Sequence, residues 1–432
     1  MSHSSRRQFL KTAGVVAGAA AVPLSLARSA HAAGSDVLKI ALIGCGGRGT
    51  GAASDCLNAA KILGQPIKLI ALADAFEDRA RGALGRLKKD WAAEVDAAER
   101  VFVGLDAYQK AIEAGPDLVL MGTPPGFRPQ QYAAAAKAGK HVFMEKPCCT
   151  DAPGYRSLVE TNKLVDERNL KVVVGLQRHH QAGYIAGIRD IHDGKLGEVV
   201  CLRVYWNGSG GGARDIGPRP QDDPNEMEYQ IRHWGCFRWL YGDNIVEQHV
   251  HNIDIGNWVM AKGDDFRKAH PVEANGMGGR VNRGNYGDIF DHHFVEFTYA
   301  NGTKMFSQCR HQPGTWDAVS EYVHGTQGNR GVSGGDVKLE SGNPYVQEHV
   351  DLIKAIRSGA KLNEGWFGAN SSMTAVLGRM ATYSGQVVKW DDAVTKGPSE
   401  APDQLAWDAK PKSLPGSDGF YPFPIPGVYK AY

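Results

Sequence analysis

The apolar run Val37-Leu38-Lys39-Ile40-Ala41-Leu42-Ile43 ends directly in Gly44-Cys45-Gly46-Gly47-Arg48-Gly49. A short apolar run that stops at glycine reads as a buried strand. The G-x-G-x-x-G spacing then constrains the path of the chain. The first glycine turns it, the second admits a close ligand, and the third lets a helix press on the strand. A helix predicted over about 50–60 would aim its free N–H groups and positive dipole end at an anion held on this loop. Asp74 lies 25 residues past Gly49, at the end of a second predicted strand over 67–73. An acid there receives ribose hydroxyls and repels a 2′-phosphate. Gly44, Gly46, Gly47, Arg48, Gly49 and Asp74 therefore point to a dinucleotide site, for NAD rather than NADP.

The pattern continues in the same sense. Helices are expected over 75–87, 108–113 and 129–138, and strands over 101–102, 118–121 and 141–144. Repeated strand–helix order predicts a parallel sheet with right-handed crossovers. One further strand is expected over 172–176. From residue 199 longer alternating strands are expected, over 199–206, 272–281, 290–299, 304–310 and 321–324, with Asn301-Gly302 as a hairpin turn. A helix is expected over 248–260, and a helical return over 344–357 and 371–382. The fold class is α/β: a Rossmann dinucleotide-binding domain (36–165), then an α+β domain with an open, largely antiparallel sheet (166–390). A Pro/Gly-rich irregular tail (391–432) closes the chain.

The first 32 residues stand apart. They hold no Asp or Glu, and run from a basic head with Arg6-Arg7, through an uncharged stretch over 12–26, to Ala30-His31-Ala32. This is a twin-arginine signal peptide, too short in its apolar part for a spanning helix of ~20 residues. Taking its four basic residues from the 49 in the chain leaves 45 against 47 acidic, a net charge of −2. That balance gives no case for nucleic acid. The expected location is periplasmic or otherwise exported, with the twin-arginine machinery as partner and no stable membrane span. Seven scattered cysteines without a C-x-x-C pair argue against a disulfide framework or zinc motif.

Glu145-Lys146-Pro147 comes directly after the strand 141–144, at the end of the sheet where such folds bind ligands. With the glycine loop, Asp74, Thr123-Pro124 and Glu247-Gln248-His249-Val250-His251-Asn252-Ile253-Asp254, it resembles the glucose–fructose oxidoreductase / inositol dehydrogenase / rhizopine-catabolism (MocA) family over about residues 36–390. The resemblance implies that Thr123, Pro124, Glu145 and Lys146 touch the cofactor and that the Lys146–Pro147 peptide is cis. It implies an open second sheet that forms a homo-oligomer. It also implies that His251 takes a hydroxyl proton, that Lys146 polarises the same oxygen, and that Glu247 orients the histidine or binds a sugar hydroxyl. Residues four apart share a helix face, so Glu247 and His251 can meet in one cleft. Arg178, Arg232, Trp234, His249 and Asp254 are expected at the substrate, and either His292 or His293 can enter the pocket. No metal ligands are expected. The chain departs from the family at Glu247 (usually Asp), His249 (often Gly) and Arg128 (often His), so the substrate's identity does not carry over.

The expected activity is an exported NAD(P)-dependent oxidoreductase acting on a hydroxyl of a sugar, polyol or glycoside. Free NAD is scarce outside the cytoplasm, which favours a tightly bound cofactor. The alternative is a redox-neutral NAD-dependent glycosidase working through a transient keto-sugar. Within the resemblance, the branch with that activity lacks the lysine of Glu-Lys-Pro, so Lys146 favours the oxidoreductase. A metal-dependent hydrolase using His249, His251, His292 and His293, or a binding protein with a vestigial site, would leave the glycine loop unexplained.

Overall fold

The computed structural model describes residues 36–208, 215–220, 225–261, 266–281 and 284–432. The signal peptide at 1–32 lies outside them. The first sheet is built from β1 (Leu38–Ile43), β2 (Ile67–Asp74), β3 (Val101–Val103), β4 (Leu118–Met121), β5 (His141–Met144) and β6 (Val172–Val174). Their order is β3-β2-β1-β4-β5-β6 and every pairing is parallel. The near-continuous apolar strands have the composition of a sheet covered on both faces. The order reverses between β1 and β4, which opens a crevice at their C-terminal ends. The sheet takes its edge strand β6 from beyond residue 165, where the sequence reading closes the domain.

Helices α1 (Gly47–Ile62), α2 (Glu77–Asp90), α3 (Ala107–Glu113), α4 (Arg128–Lys137) and α5 (Ala152–Glu167) form the crossovers. The sequence reading does not assign α5. Its start is encoded at Asp151, whose side chain accepts the Gly154 N–H at 2.8 Å, with Pro153 in the first turn. It also misses α6 (Ala182–His192), which leads into the second sheet.

That sheet contains β7 (Val199–Gly208), β8 (Glu273–Gly279), β9 (His292–Thr298), β10 (Lys304–His311), β11 (Ala318–Gly325), β12 (Gly328–Gly331) and β13 (Val388–Lys389). The order is β12-β11-β7-β10-β9-β8-β13, antiparallel except for β7 beside β10. The Asn301-Gly302 turn joins β9 to β10, with Gly302 at φ +86°. Between β7 and β8 lie α7 (Glu226–Arg232), α8 (Arg238–Tyr241), α9 (Asn244–Glu247) and α10 (Val250–Met260).

The chain then returns to the first sheet. On α11 (Pro344–Ser358), Val346, Val350, Ile353 and Ile356 share a core with Ile40 and Leu42 of β1. The almost wholly buried α12 (Gly365–Ser384) packs on α5, α10 and β8, joining the two sheets. Past β13, residues 390–396 form α13 (Trp390–Lys396), so the irregular tail starts at Gly397, not at 391. Glu400 pins that tail: it pairs with Arg238 at 2.9 Å and with the buried Arg379 at 3.2 Å.

Glu400→Ala would leave the buried Arg379 guanidinium without its carboxylate partner, holding only the Gly242 carbonyl oxygen. The expected loss is about 3–5 kcal/mol of unfolding free energy, read by urea denaturation of the mature protein.

Candidate active site

A cleft of about 750 Å3 opens where the first sheet's strands end and the second domain begins. Its floor is the glycine loop. A methyl on Gly44 would stand 2.3 Å from the Thr123 nitrogen, and one on Gly49 1.9 Å from the Gly44 carbonyl oxygen. Backbone thus packs on backbone behind the cleft, and Gly49 serves by packing rather than by lining it. Gly46 and Gly47 face open space: a methyl on Gly46 would meet only the Arg79 guanidinium at 3.7 Å, and one on Gly47 nothing within 4 Å. Gly46 caps α1 with no side-chain hydrogen bond, and the first turn holds no acid. Free N–H groups at an uncapped helix start, beside a space cleared of side chains, fit a pyrophosphate.

Asp74 lines the cleft beside this loop. Its carboxylate accepts the Cys45 N–H at 2.7 Å and the Phe76 N–H at 3.0 Å, tying the end of β2 to the glycine turn. Burial pushes its pKa up, while the two N–H groups oppose that shift. Arg48, also on the cleft, pairs with Glu145 and with Asp55, each at 2.8 Å, and lies over the Tyr345 ring. Thr123, Pro124, Glu145 and Lys146 line the cleft as expected, and Thr123 donates its hydroxyl to Gln131 at 2.6 Å. The Lys146–Pro147 peptide is cis.

At the inner end Lys146 donates to the carbonyl oxygen of Glu247 and, at 3.0 Å, to its carboxylate. His251 lies on the same wall, 8% exposed, its ring 5.8 Å from that of Trp206 with planes 21° apart. Its Nδ1 is buried without a hydrogen-bond partner. Burial, then the nearby Lys146, Arg178 and His249, holds its pKa well below the usual histidine value, so the imidazole is neutral. The helix expected over 248–260 forms as α10 from Val250, with His251 in its first turn, and Glu247 ends the separate helix α9. Both side chains still line one cleft.

Three expected substrate contacts do not line it. Arg178 comes after β6 in a tight turn and is buried against Glu321, which also accepts from Asn252 and from Tyr184 at 2.8 Å. His249 falls at the break between α9 and α10, where its ring turns to β10 and bonds Ser307 at 2.8 Å. Asp254 lies a turn beyond His251 on the buried side of α10, bonding His179 at 2.6 Å and Ser371 at 2.8 Å. His292 bonds Asp291, while His293 is buried on Thr382 and Asp243, so neither faces the cleft. Arg232 and Trp234 do line it.

Sequence reasoning missed several lining residues. Arg79 and Phe76, just after Asp74, carry a local signal: an arginine and an aromatic in the turn after the second strand. Gln248 lies inside the Glu247–Asp254 segment already singled out, whereas Trp206 and Tyr345 carry no local signal, because only the tertiary fold brings β7 and α11 here. Arg128, noted as a departure, lines the cleft with its guanidinium on the Pro147 carbonyl oxygen.

Residues 38–176 match the family described as oxidoreductase family, NAD-binding Rossmann fold. Residues 3–23 match the twin-arginine translocation pathway signal sequence, an export signal. Inositol 2-dehydrogenase from Rhizobium meliloti is 25% identical over 289 residues, 65% of this chain and 73% of that protein. Seven other curated relatives are matched over 30% to 57% of their length. Among solved structures, scyllo-inositol dehydrogenase from Lactobacillus casei with NAD(H) and scyllo-inositol superposes with a TM-score of 0.59 at 18% identity, covering 82% of this chain and 99% of that one. Levoglucosan dehydrogenase in complex with NADH and levoglucosan gives 0.61 at 15%, with the same coverage. At these identities the structures show a shared fold.

Gly46→Ala is expected to melt like the parent protein yet bind NAD at least ~10-fold more weakly, because its methyl enters the pyrophosphate space. Gly49→Ala is expected to lower the melting temperature by roughly 5 °C or more, since backbone must separate. Thermal melts and titration calorimetry on the pair distinguish the two roles.

Proposed function

From the membership of this chain, through residues 38–176, in the glucose–fructose oxidoreductase / inositol dehydrogenase / MocA family, we propose that it is an exported NAD-dependent dehydrogenase acting on a secondary hydroxyl of a neutral sugar, polyol or glycoside, with its cofactor tightly held. The observation that carries this reading is the gathering of Lys146, Glu247 and His251 at the inner end of a cleft whose floor is an open glycine cradle.

Gly46, Gly47 and the start of α1 would hold the pyrophosphate, and Asp74 the adenosine ribose. Thr123, Glu145 and Lys146 would face the nicotinamide half. Bound NAD supplies the acceptor for the hydride leaving the substrate carbon. His251, buried and neutral, takes the hydroxyl proton; a base at this place must be uncharged before it acts. The Lys146 ammonium has three N–H groups. Two go to Glu247, leaving the third for the reacting oxygen. Glu247 thereby fixes where that third N–H points.

The charges at this end balance. Arg48, Arg128 and Lys146 stand against Asp55, Glu145 and Glu247, which favours an uncharged substrate. Trp206 and Trp234 offer ring faces for the C–H surface of a sugar or polyol. The relatives named above are dehydrogenases of inositols and of an anhydrosugar, and the glycosidase alternative finds no support among them. The exposed Trp316 and Tyr322, both packed on Tyr205 of β7, suit pairing of the second sheet with another copy of the chain. The export signal over residues 3–23 supports a working enzyme outside the cytoplasm, and the periplasm is the compartment this reading assigns in a cell that has one.

The test is a panel of sugars, polyols and glycosides assayed for NAD reduction at 340 nm. Turnover should appear with at least one neutral member, and the absence of any reduction across the panel would refute the reading. His251→Ala is expected to lose ~10²–10⁴ in turnover while still holding NAD. Because the imidazole stays neutral well below the ordinary value of 6.5, kcat/KM should stay level from neutral pH down to 6.5. It should fall only at lower pH, as His251 gains its proton. A half-loss at 6.5 would assign the proton transfer to a different group.

A further inference from the structure

We propose that the C-terminal tail retains the dinucleotide: Trp407 and Arg232 hold Phe76 in place at the adenosine end of the cleft, so that bound NAD does not exchange freely with solvent. This rests on the reading of the cleft as an NAD site.

Phe76 stands two residues past Asp74, on the turn that leads into α2. A large apolar side chain on such a turn would ordinarily be exposed, yet Phe76 is 6% exposed. Distant segments bury it. The Arg232 guanidinium lies 3.9 Å from the ring centroid and Arg79 5.8 Å. The Trp407 ring packs at 5.7 Å, tilted by 45°. Arg232 also reaches Asp78 at 3.7 Å, so one side chain from the second domain engages the turn after β2 twice.

Arg232 belongs to the outer wall of the cleft, which includes Ile216 and residues 231–236. Residues 285–288 hold part of that wall: Ile216 donates its N–H to the Asn285 carbonyl oxygen at 2.9 Å, and Asp288 donates its N–H to that of Cys236 at 3.1 Å. Helix α7 is seven residues long, and the tail holds it further. The Tyr421 hydroxyl donates to Glu226 at 2.6 Å, and Gln230 donates to the Ser413 carbonyl oxygen at 2.7 Å. The Tyr421 ring packs on Phe237 at 4.8 Å. Arg219 donates its N–H to the Gly419 carbonyl oxygen at 3.0 Å. The tail is itself rooted by Glu400 in Arg238 and Arg379.

The tail therefore touches both sides of the cleft mouth: Trp407 on the nucleotide domain's Phe76, and residues 413–421 on the wall that carries Arg232. A dinucleotide leaving by this end must part Arg232 and Trp407 from Phe76. Trp407 is a positioning residue, acting through Phe76 and the wall rather than by touching the reacting atoms. Retention suits a chain with a twin-arginine signal, a route for folded proteins, because the cofactor bound before export is the one the enzyme keeps.

The experiment is a chase. The mature protein is saturated with isotope-labelled NAD, diluted into excess unlabelled NAD, and sampled by desalting and mass spectrometry; equilibrium binding is measured in parallel. The parent protein should exchange over many minutes or longer. Trp407→Ala and Arg232→Ala should each exchange at least ~10-fold faster, with Trp407→Phe restoring most of the slow rate. Fast exchange in the parent protein, or a parental rate in both alanine variants, overturns the proposal and leaves the dehydrogenase reading standing. No equilibrium binding of NAD by the parent protein overturns both. If Trp407→Ala does not fold, Arg232→Ala and Trp407→Phe decide the matter.

Discussion

The contact on which the site depends is the pairing of Lys146 with Glu247. Lys146 stands just past the fifth strand of the first sheet, and Glu247 ends a four-residue helix in the second domain. Their side chains are only 13% and 17% exposed, so the pair is largely removed from water. Neither charge is tolerated there alone. Each half of the molecule therefore supplies the counter-ion that the other requires. Glu247 also fixes where α10 begins, because the chain needs only Gln248 and His249 to reach it. That short link sets the place of His251.

Behind this pair lies a second layer that never meets the cleft. Arg178 comes from the end of the first sheet, Glu321 from the second, and Asn252 and Tyr184 from α10 and α6. Three side chains thus converge on one carboxylate. Asn252 is the neighbour of His251, so this network holds α10 by its first turn. Arg178 also adds positive charge near His251, which opposes protonation in the same sense as burial does. A residue expected to bind substrate thus acts on the His251 imidazole from behind the cleft.

The first sheet is largely legible in the sequence because its signals are local. Apolar runs, the glycine loop and the acid after β2 each depend on a few adjacent residues, and the strands fall within a residue or two of their expected bounds. Asn301-Gly302 marks its hairpin for the same reason. The misplaced residues share a cause as well. The family resemblance, not a local pattern, puts His249 and Asp254 at the substrate; α9 and α10 are separate helices, and His249 falls at the break between them. Arg178 is expected in the cleft from its place after a strand, and no local pattern announces Glu321, more than a hundred residues on. Tyr345 and Trp407 are invisible for a stronger reason. Both are ordinary aromatics on a returning helix and an irregular tail, and only tertiary packing brings them to Arg48 and Phe76.

The charge pattern narrows what this cleft can oxidise. At its inner end Arg48, Arg128 and Lys146 are matched by Asp55, Glu145 and Glu247, and Arg128 is further tied to the Pro147 carbonyl oxygen. An anionic substrate would have to compete with carboxylates already in place, in a setting where burial raises the cost of any surplus charge. A neutral polyhydroxy compound makes no such demand. It trades water for the third N–H of Lys146, the imidazole of His251 and the ring faces of Trp206 and Trp234. The outer end is different, for Arg79 and Arg232 there flank a phenylalanine beside Asp74 and the uncapped start of α1. Those two cations are answered by Asp74, Asp78 and Glu228, so the free N–H groups at the start of α1 are what would meet a pyrophosphate's negative charge. The two ends of one cleft are thus built for opposite partners, and the division falls where the glycine loop meets the end of β5.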